Sequence, residues 1–262
     1  MFDPLLVLLG LAIGLLIGFT GMGGGALMTP SLIFWFHVPP VLAVGTDLAY
    51  SAITKAFGAL QHLKQGNVDR GLALRLAVGS IPGALLAVRM TEWVKAGENL
   101  NLDVVIKKSL GIILIFVGGL ILIQILRYSR RSKSWPKKAH PIDPRTRNVL
   151  DIAVAFVIGF LVGLTSVGSG SLVVAWLSLT HLLPGRVVVG TDLSNAFLLT
   201  AAAALAHFQF GNIDILLMLN LLLGSIPGIL MGTHLTLRVP NQALRGCLAF
   251  ILLAIGIQLF RQ

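Results

Sequence analysis

Gly45-Thr46-Asp47-Leu48 recurs as Gly190-Thr191-Asp192-Leu193, and the offset between the copies, 145 residues, holds far beyond these four positions. At the same offset Gly14 falls on Gly159, Gly18 on Gly163, Thr20 on Thr165, Gly23 on Gly168 and Gly25 on Gly170. Downstream, Pro39 falls on Pro184, His62 on His207, Gly66-Asn67-Val68-Asp69 on Gly211-Asn212-Ile213-Asp214, and Gly79-Ser80-Ile81-Pro82-Gly83 on Gly224-Ser225-Ile226-Pro227-Gly228. An ungapped correspondence of this length identifies a duplicated unit. The division that follows is a first repeat over 1–126, a linker over 127–147 and a second repeat over 148–262.

With 56% hydrophobic residues, 11% charged residues and a mean hydropathy of +0.89, the chain lies outside the range of soluble domains. Long apolar runs without alternation, such as Ile81 to Val88 and Leu110 to Leu126, predict membrane-spanning helices, which satisfy their own backbone groups in hydrocarbon. The net charge of +10 does not point to nucleic acid. Arg127, Arg130, Arg131, Lys133, Lys137, Lys138, Arg145 and Arg147 crowd into one loop beside apolar segments, the pattern of a cytoplasmic loop near anionic lipid. The single cysteine, Cys247, excludes an internal disulfide and a multi-cysteine metal site; no metal site or cofactor is expected. Met1-Phe2-Asp3-Pro4 lacks a basic region, so the first apolar run is expected to be retained as a helix.

Five apolar segments are expected in each half: Leu5 to Thr20, Leu27 to His37, Val41 to Leu63, Arg70 to Met90 and Val104 to Leu126, then Val149 to Thr165, Leu172 to Leu183, Val187 to Phe208, Ile215 to Leu237 and Leu244 to Phe260. The first two of each half are short for a hydrocarbon core about 30 Å thick. They form either two short spans or a re-entrant hairpin turning at the glycine-rich break. Both counts are odd, so the second copy is expected to enter from the opposite side, giving an all-α protein of two inverted-topology repeats. The charges of the turns agree: the turn from Lys64 to Arg70 is basic, whereas its repeat, Phe208 to Asp214, carries neither lysine nor arginine; Lys95, Lys107, Lys108 and Arg261 are the external exceptions, the first three softened by Glu92, Glu98 and Asp103. The expected topology is a multi-pass cell (inner) membrane protein with both termini external and the basic loop cytoplasmic.

Within the third segment Asp47, Ser51, Lys55 and His62 follow the helical period and share one face. Such a stripe is expected to face a polar cavity or a partner helix. Lys55 either pairs with Asp47 or Asp192, snorkels, or attracts an anion on a pathway. The eighth segment offers Thr191, Asp192, Asn195 and His207, with Thr200 in place of Lys55. Gly-Thr-Asp before an apolar run suggests a helix start with a Thr or Asp cap, and a helix beginning at membrane depth would aim free N–H groups at a cavity. Gly21, Gly23, Gly24 and Gly25, with Gly168, Ser169 and Gly170, could do the same or could serve close helix packing. Asp47, Asp192, His62 and His207 are candidates for proton coupling. Pro82 and Pro227 imply kinks or breaks in segments four and nine. Gly21-x-Gly23-x-x-Ala26 follows no strand, so it is not read as a dinucleotide fingerprint, and no hydrolase, metalloprotease or P-loop motif is present; no catalytic residue is expected.

Gly18-Phe19-Thr20-Gly21-Met22-Gly23-Gly24-Gly25 with Pro30, then Ala43-Val44-Gly45-Thr46-Asp47-Leu48 and Gly66-Asn67-Val68-Asp69, each answered in the second half, resemble the sulfite exporter TauE/SafE (TSUP) family. The resemblance covers nearly the whole chain apart from the basic loop. It implies a bacterial or archaeal inner-membrane carrier of small sulfur-containing anions such as sulfite, thiosulfate or organosulfonates, commonly an exporter. The family's thiosulfate carriers place cysteines along the pathway; the glycine-rich segments here have none, which favours sulfite or a sulfonate. Carried over by motif, the glycine-rich breaks and Thr46, Asp47, Thr191 and Asp192 would line the pathway, with Ser51, Lys55 and Asn195 added by the helical stripe. An anion channel of the same fold, or a membrane-embedded enzyme or assembly factor, is the alternative.

Overall fold

The computed structural model describes residues 3–20, 25–96, 102–130, 143–235 and 241–261, and every regular element among them is an α-helix. In chain order these are α1 (Pro4–Thr20), α2 (Gly25–Trp35), α3 (Pro40–Lys64), α4 (Arg70–Ala96), α5 (Leu102–Arg130), α6 (Pro144–Thr165), α7 (Ser171–Thr180), α8 (Gly185–Gln209), α9 (Ile215–Leu235) and α10 (Asn241–Arg261). Among the described residues α4, α5, α6, α8 and α9 are long and apolar enough to cross a membrane. The chain is an all-α, multi-pass membrane protein. Large apolar side chains such as Leu74, Trp93, Phe116, Leu205 and Phe250 are exposed, while Asp47, Lys55 and Asp192 are buried. That inversion of the soluble pattern is what a lipid solvent selects.

Several boundaries differ from those expected. Helix α4 runs on to Ala96, and α5 to Arg130, into the stretch assigned to the linker; α6 begins before that stretch ends, at Pro144. Most of the linker lies outside the described residues, as do Gly21, Gly23 and Gly24, whereas Gly25 opens α2. Helices α4 and α9 continue unbroken through Pro82 and Pro227. The two Gly-Thr-Asp motifs do not start their helices. Pro39 and Pro184 occupy the N-cap positions, so Gly45-Thr46-Asp47 and Gly190-Thr191-Asp192 lie inside α3 and α8 with their own N–H groups already used. A proline needs no backbone donor and its φ suits a helix start, so the punctuation falls there.

Packing follows the 145-residue offset reciprocally. The backbone of Gly14 (α1) lies against Ser225 (α9), and that of Gly159 (α6) against Ser80 (α4). Gly224 lies against Val7 and Gly79 against Ile152; Gly228 against Leu11 and Gly83 against Phe156. Each contact is the image of the other, so α1 docks on α9 and α6 on α4, and within each pair residue numbers rise together. Helices α3 and α8 meet their own images instead, and they run in opposite directions. Gly45 near the start of α3 touches Asn212 beyond the end of α8, while Gly190 near the start of α8 touches Asn67 beyond the end of α3. The pair α5 and α10 is antiparallel too, with Gly111 at Gly256 and Gly118 at Ala249. Added side chains at Gly14, Gly159, Gly79 or Gly224 would overlap neighbouring backbone, which is why these helices meet through glycine.

Candidate functional site

The two repeated motifs are halves of one joint. Thr46 Oγ1 accepts the backbone N–H of Asp214 at 3.0 Å, and Thr191 Oγ1 accepts that of Asp69 at 3.0 Å. Asp69 and Asp214 cap the next helices, their carboxylates accepting from Leu72 N–H at 3.0 Å and Leu217 N–H at 2.9 Å. Gly66 and Gly211 turn the chain into this position with φ of 69° and 70°, where a side chain would be strained. Gly-Thr-Asp of one half thus receives the Gly-Asn-x-Asp turn of the other at both ends of the α3–α8 pair.

Between these joints lie the ionisable groups. Asp47 is wholly buried, and its Oδ2 accepts from Thr29 Oγ1 of α2 at 2.5 Å. Lys55, at 6% exposure, is too deep to snorkel; its Nζ donates to Ser169 Oγ at 2.7 Å, reaching from the first half to the break before α7. No carboxylate lies within ion-pair distance of Lys55 among the described residues, yet the ammonium sits in the field of both Asp192 and Asp47. Gly58, one turn beyond Lys55, packs on Leu193 beside Asp192, which fixes how α3 and α8 align here. Asn195 Oδ1 accepts from Ser80 Oγ of α4 at 2.9 Å. By the offset, Asn195 corresponds to Tyr50 and Ser80 to Ser225; Ser225 stands beside the Tyr50 hydroxyl without closing a hydrogen bond.

Burying one cation near two carboxylates is costly unless the remaining hydrogen-bonding capacity is used. Here part of it is unused within the protein. Asp192 Oδ1, the Ser51 hydroxyl and Asn195 Nδ2 are buried without a protein hydrogen-bond partner, while the Ser166 hydroxyl stands beside Asp47 and that of Ser225 beside Tyr50. Buried polar groups are nearly always paired, so such a concentration makes this region the candidate site. The break between α6 and α7 contributes its shape: Ser166 adopts a left-handed φ of 61° and Gly168 a φ of 101°. Gly170, the N-cap of α7, supplies no side-chain cap, so the first turn of that helix faces this region without one.

Lys55 thus meets Ser169, Asp47 meets Thr29 and Asn195 meets Ser80, with Ser51 buried one turn from both Asp47 and Lys55 on α3, while Thr46 and Thr191 hold the framework at its two ends. The histidines are elsewhere. His207 Nε2 lies 3.5 Å from the Gly163 carbonyl and its Nδ1 3.5 Å from Asn212 Nδ2; His62 Nδ1 faces Gly190. Neither hydrogen-bonds to Asp47 or Asp192. Three contributors were missed from the sequence. Thr29 and Ser166 sit in short, otherwise apolar stretches with no polar periodicity, and Ser80, though its recurrence as Ser225 marks the duplication, carries no sign in the sequence that it would reach Asn195.

With this geometry in hand, comparison with known proteins is informative. The chain is 40% identical to the Probable membrane transporter protein YjnA of Bacillus subtilis (strain 168), over 97% of this chain and 98% of that protein. It is 28% identical to the Probable membrane transporter protein YunE of the same organism, over 97% and 96%, and 25% identical to its Probable membrane transporter protein YdhB, over 93% and 94%. No solved structure matches. The family model described as Sulfite exporter TauE/SafE matches residues 6–259, and the chain belongs to that family.

Proposed function

We propose that the protein is a secondary transporter that moves a small sulfur-containing anion, sulfite or an organosulfonate, out of the cell through a site centred on Lys55. The observation that carries this reading is Lys55, buried between the two halves on Ser169, with the Ser51 hydroxyl one turn away on α3 and the Asn195 amide on the facing α8 both buried and unpartnered. A small oxyanion accepts several hydrogen bonds and needs one positive charge, so it complements this set. The antiparallel pairing of α3 with α8 and of α5 with α10 supports two inverted repeats, and a seam between inverted repeats is where alternating access operates. Two aspartates and one lysine sum to one negative charge, which opposes an incoming anion. A proton bound by Asp47 or Asp192 removes that opposition, so the anion and a proton travel together; His62 and His207, which make no hydrogen bond to either carboxylate, would serve only as further relay groups.

The test is flux into proteoliposomes given labelled sulfite or methanesulfonate outside, with internal pH recorded alongside. Saturable uptake, counterflow and acidification accompanying methanesulfonate are expected, and Lys55→Ala is expected to lower the rate at least about tenfold, the loss of one charged hydrogen bond, with unchanged elution and melting. Non-saturating flux would make the protein a channel. Wild-type rates in Lys55→Ala would remove the site from the pathway.

A further inference from the structure

Asp151 forms a second buried ionic centre, away from the one around Lys55. It lies two turns into α6, is wholly buried, and accepts three donors: Arg75 Nη1 of α4 at 3.4 Å, Trp176 Nε1 of α7 at 2.9 Å, and His181 Nε2, just past the end of α7, at 3.1 Å. The contact sets the path of the chain: α7 doubles back along α6, so the second half has a hairpin returning toward the end where α6 began. The cluster has no image in the first half. At the 145-residue offset the same positions are Leu6, Asn220, Ser31 and Phe36.

The three helices that meet at Asp151 are not equally free. Helices α4 and α6 touch backbone to backbone at Gly79, Gly83, Gly159 and Gly163, so they move as one body. Helix α7 has no glycine and meets its neighbours through side chains. Its outer end is tied to Asp151, and at its inner end Ser169 holds Lys55. Ten residues make a rod of about 15 Å, so fixing one end sets the other.

We propose that Asp151 is a positioning residue: it latches α7 against the α4–α6 pair, and α7 is the moving gate of the second half. This rests on the transporter reading above. Releasing α7 removes Trp176 and His181 from the carboxylate but leaves Arg75 in place. The charge stays compensated in both positions, which is the condition for a two-state element and not a permanent staple. The first half is held differently. Helix α2 is tied at depth, by Thr29 to Asp47, where α7 has Val174. One short helix answers to the ionisable centre and the other to a latch at the opposite level.

The single native cysteine makes the test direct. In a Cys247→Ser background, Thr180→Cys reports on the buried end of α7, and Leu32→Cys, in α2, serves as the reference. The rate of thiol labelling of purified protein in nanodiscs is read for each reporter with Asp151→Asn and, separately, with Trp176→Phe, which keeps Arg75 and His181 and preserves the fold should Asp151→Asn not. Either variant is expected to speed labelling at Thr180→Cys about tenfold, the effect of one hydrogen bond to a charged group, with Leu32→Cys unchanged. An unaltered rate at Thr180→Cys in both variants overturns the latch, as does an equal rise at both reporters. Faster labelling confined to Thr180→Cys in a protein that moves no anion in liposomes upholds the latch and sinks the transport reading alone.

Discussion

At the scale of single residues, Thr46 and Thr191 separate what a motif suggests from what it does. The motif suggests a Thr or Asp cap at a helix start, or a residue lining a pathway, yet each threonine accepts the N–H of an aspartate from the opposite half. Valine keeps the shape and removes the acceptor. Thr46→Val and Thr191→Val are each expected to cost about 1 kcal/mol, visible as a lower melting temperature in detergent. Because the two joints are images of each other, the losses should be similar and should add in the double variant, the sites being far apart. An effect confined to one variant would mean the joints are not equivalent. Lys55 shows how much of the site was legible: its helical phase with Asp47 and Ser51 placed it on an inner face. Its bond to Ser169 was not legible, because a hydrogen bond 114 residues away in sequence leaves no periodic trace.

At the scale of helices, the repeat disclosed that two copies exist but not which helix of one packs on which of the other. Self-similarity is a property of sequence, whereas the docking of α1 on α9 and α6 on α4 depends on faces that glycines leave bare. Gly14, Gly79, Gly159 and Gly224, which the sequence marks only as repeated positions, are packing glycines, each against a neighbour's backbone. The prolines misled about continuity: Pro82 and Pro227 sit inside helices whose neighbours support them, while Pro39 and Pro184 start helices. A graded test follows. Gly159→Val and Gly14→Val should abolish recovery of monodisperse protein, since the Ser80 and Ser225 backbones cannot give way. Gly119→Ala meets nothing within 4 Å and should raise stability by about 0.5–1 kcal/mol through helix propensity. A tolerated Gly159→Val would show that α4 and α6 are free to separate, against the rigid pair on which the α7 latch depends.

At the scale of the whole molecule, the reciprocal contacts describe a twofold relation that exchanges the halves, and the direction of α3 against α8 says how that axis lies. An axis along the helices would bring each helix onto a parallel image; here the images are antiparallel, as an axis perpendicular to them requires. On the proposed inverted topology, that relation would send corresponding turns to opposite faces of a bilayer. The sequences of the turns agree, since Lys64 and Arg70 border the first and the second carries neither lysine nor arginine of its own, although Lys95 of α4 reaches Asn212 there at 3.2 Å. Lys64 and Gln209 are matched positions at the ends of α3 and α8, and both are exposed. In the Cys247→Ser background, Lys64→Cys and Gln209→Cys should therefore react with a membrane-impermeant thiol reagent from opposite sides of intact cells. Gln209→Cys should label from outside and Lys64→Cys only after the membrane is breached. Labelling of both from one side would place the two halves in the same orientation, and the seam around Lys55 would then have no second face to open.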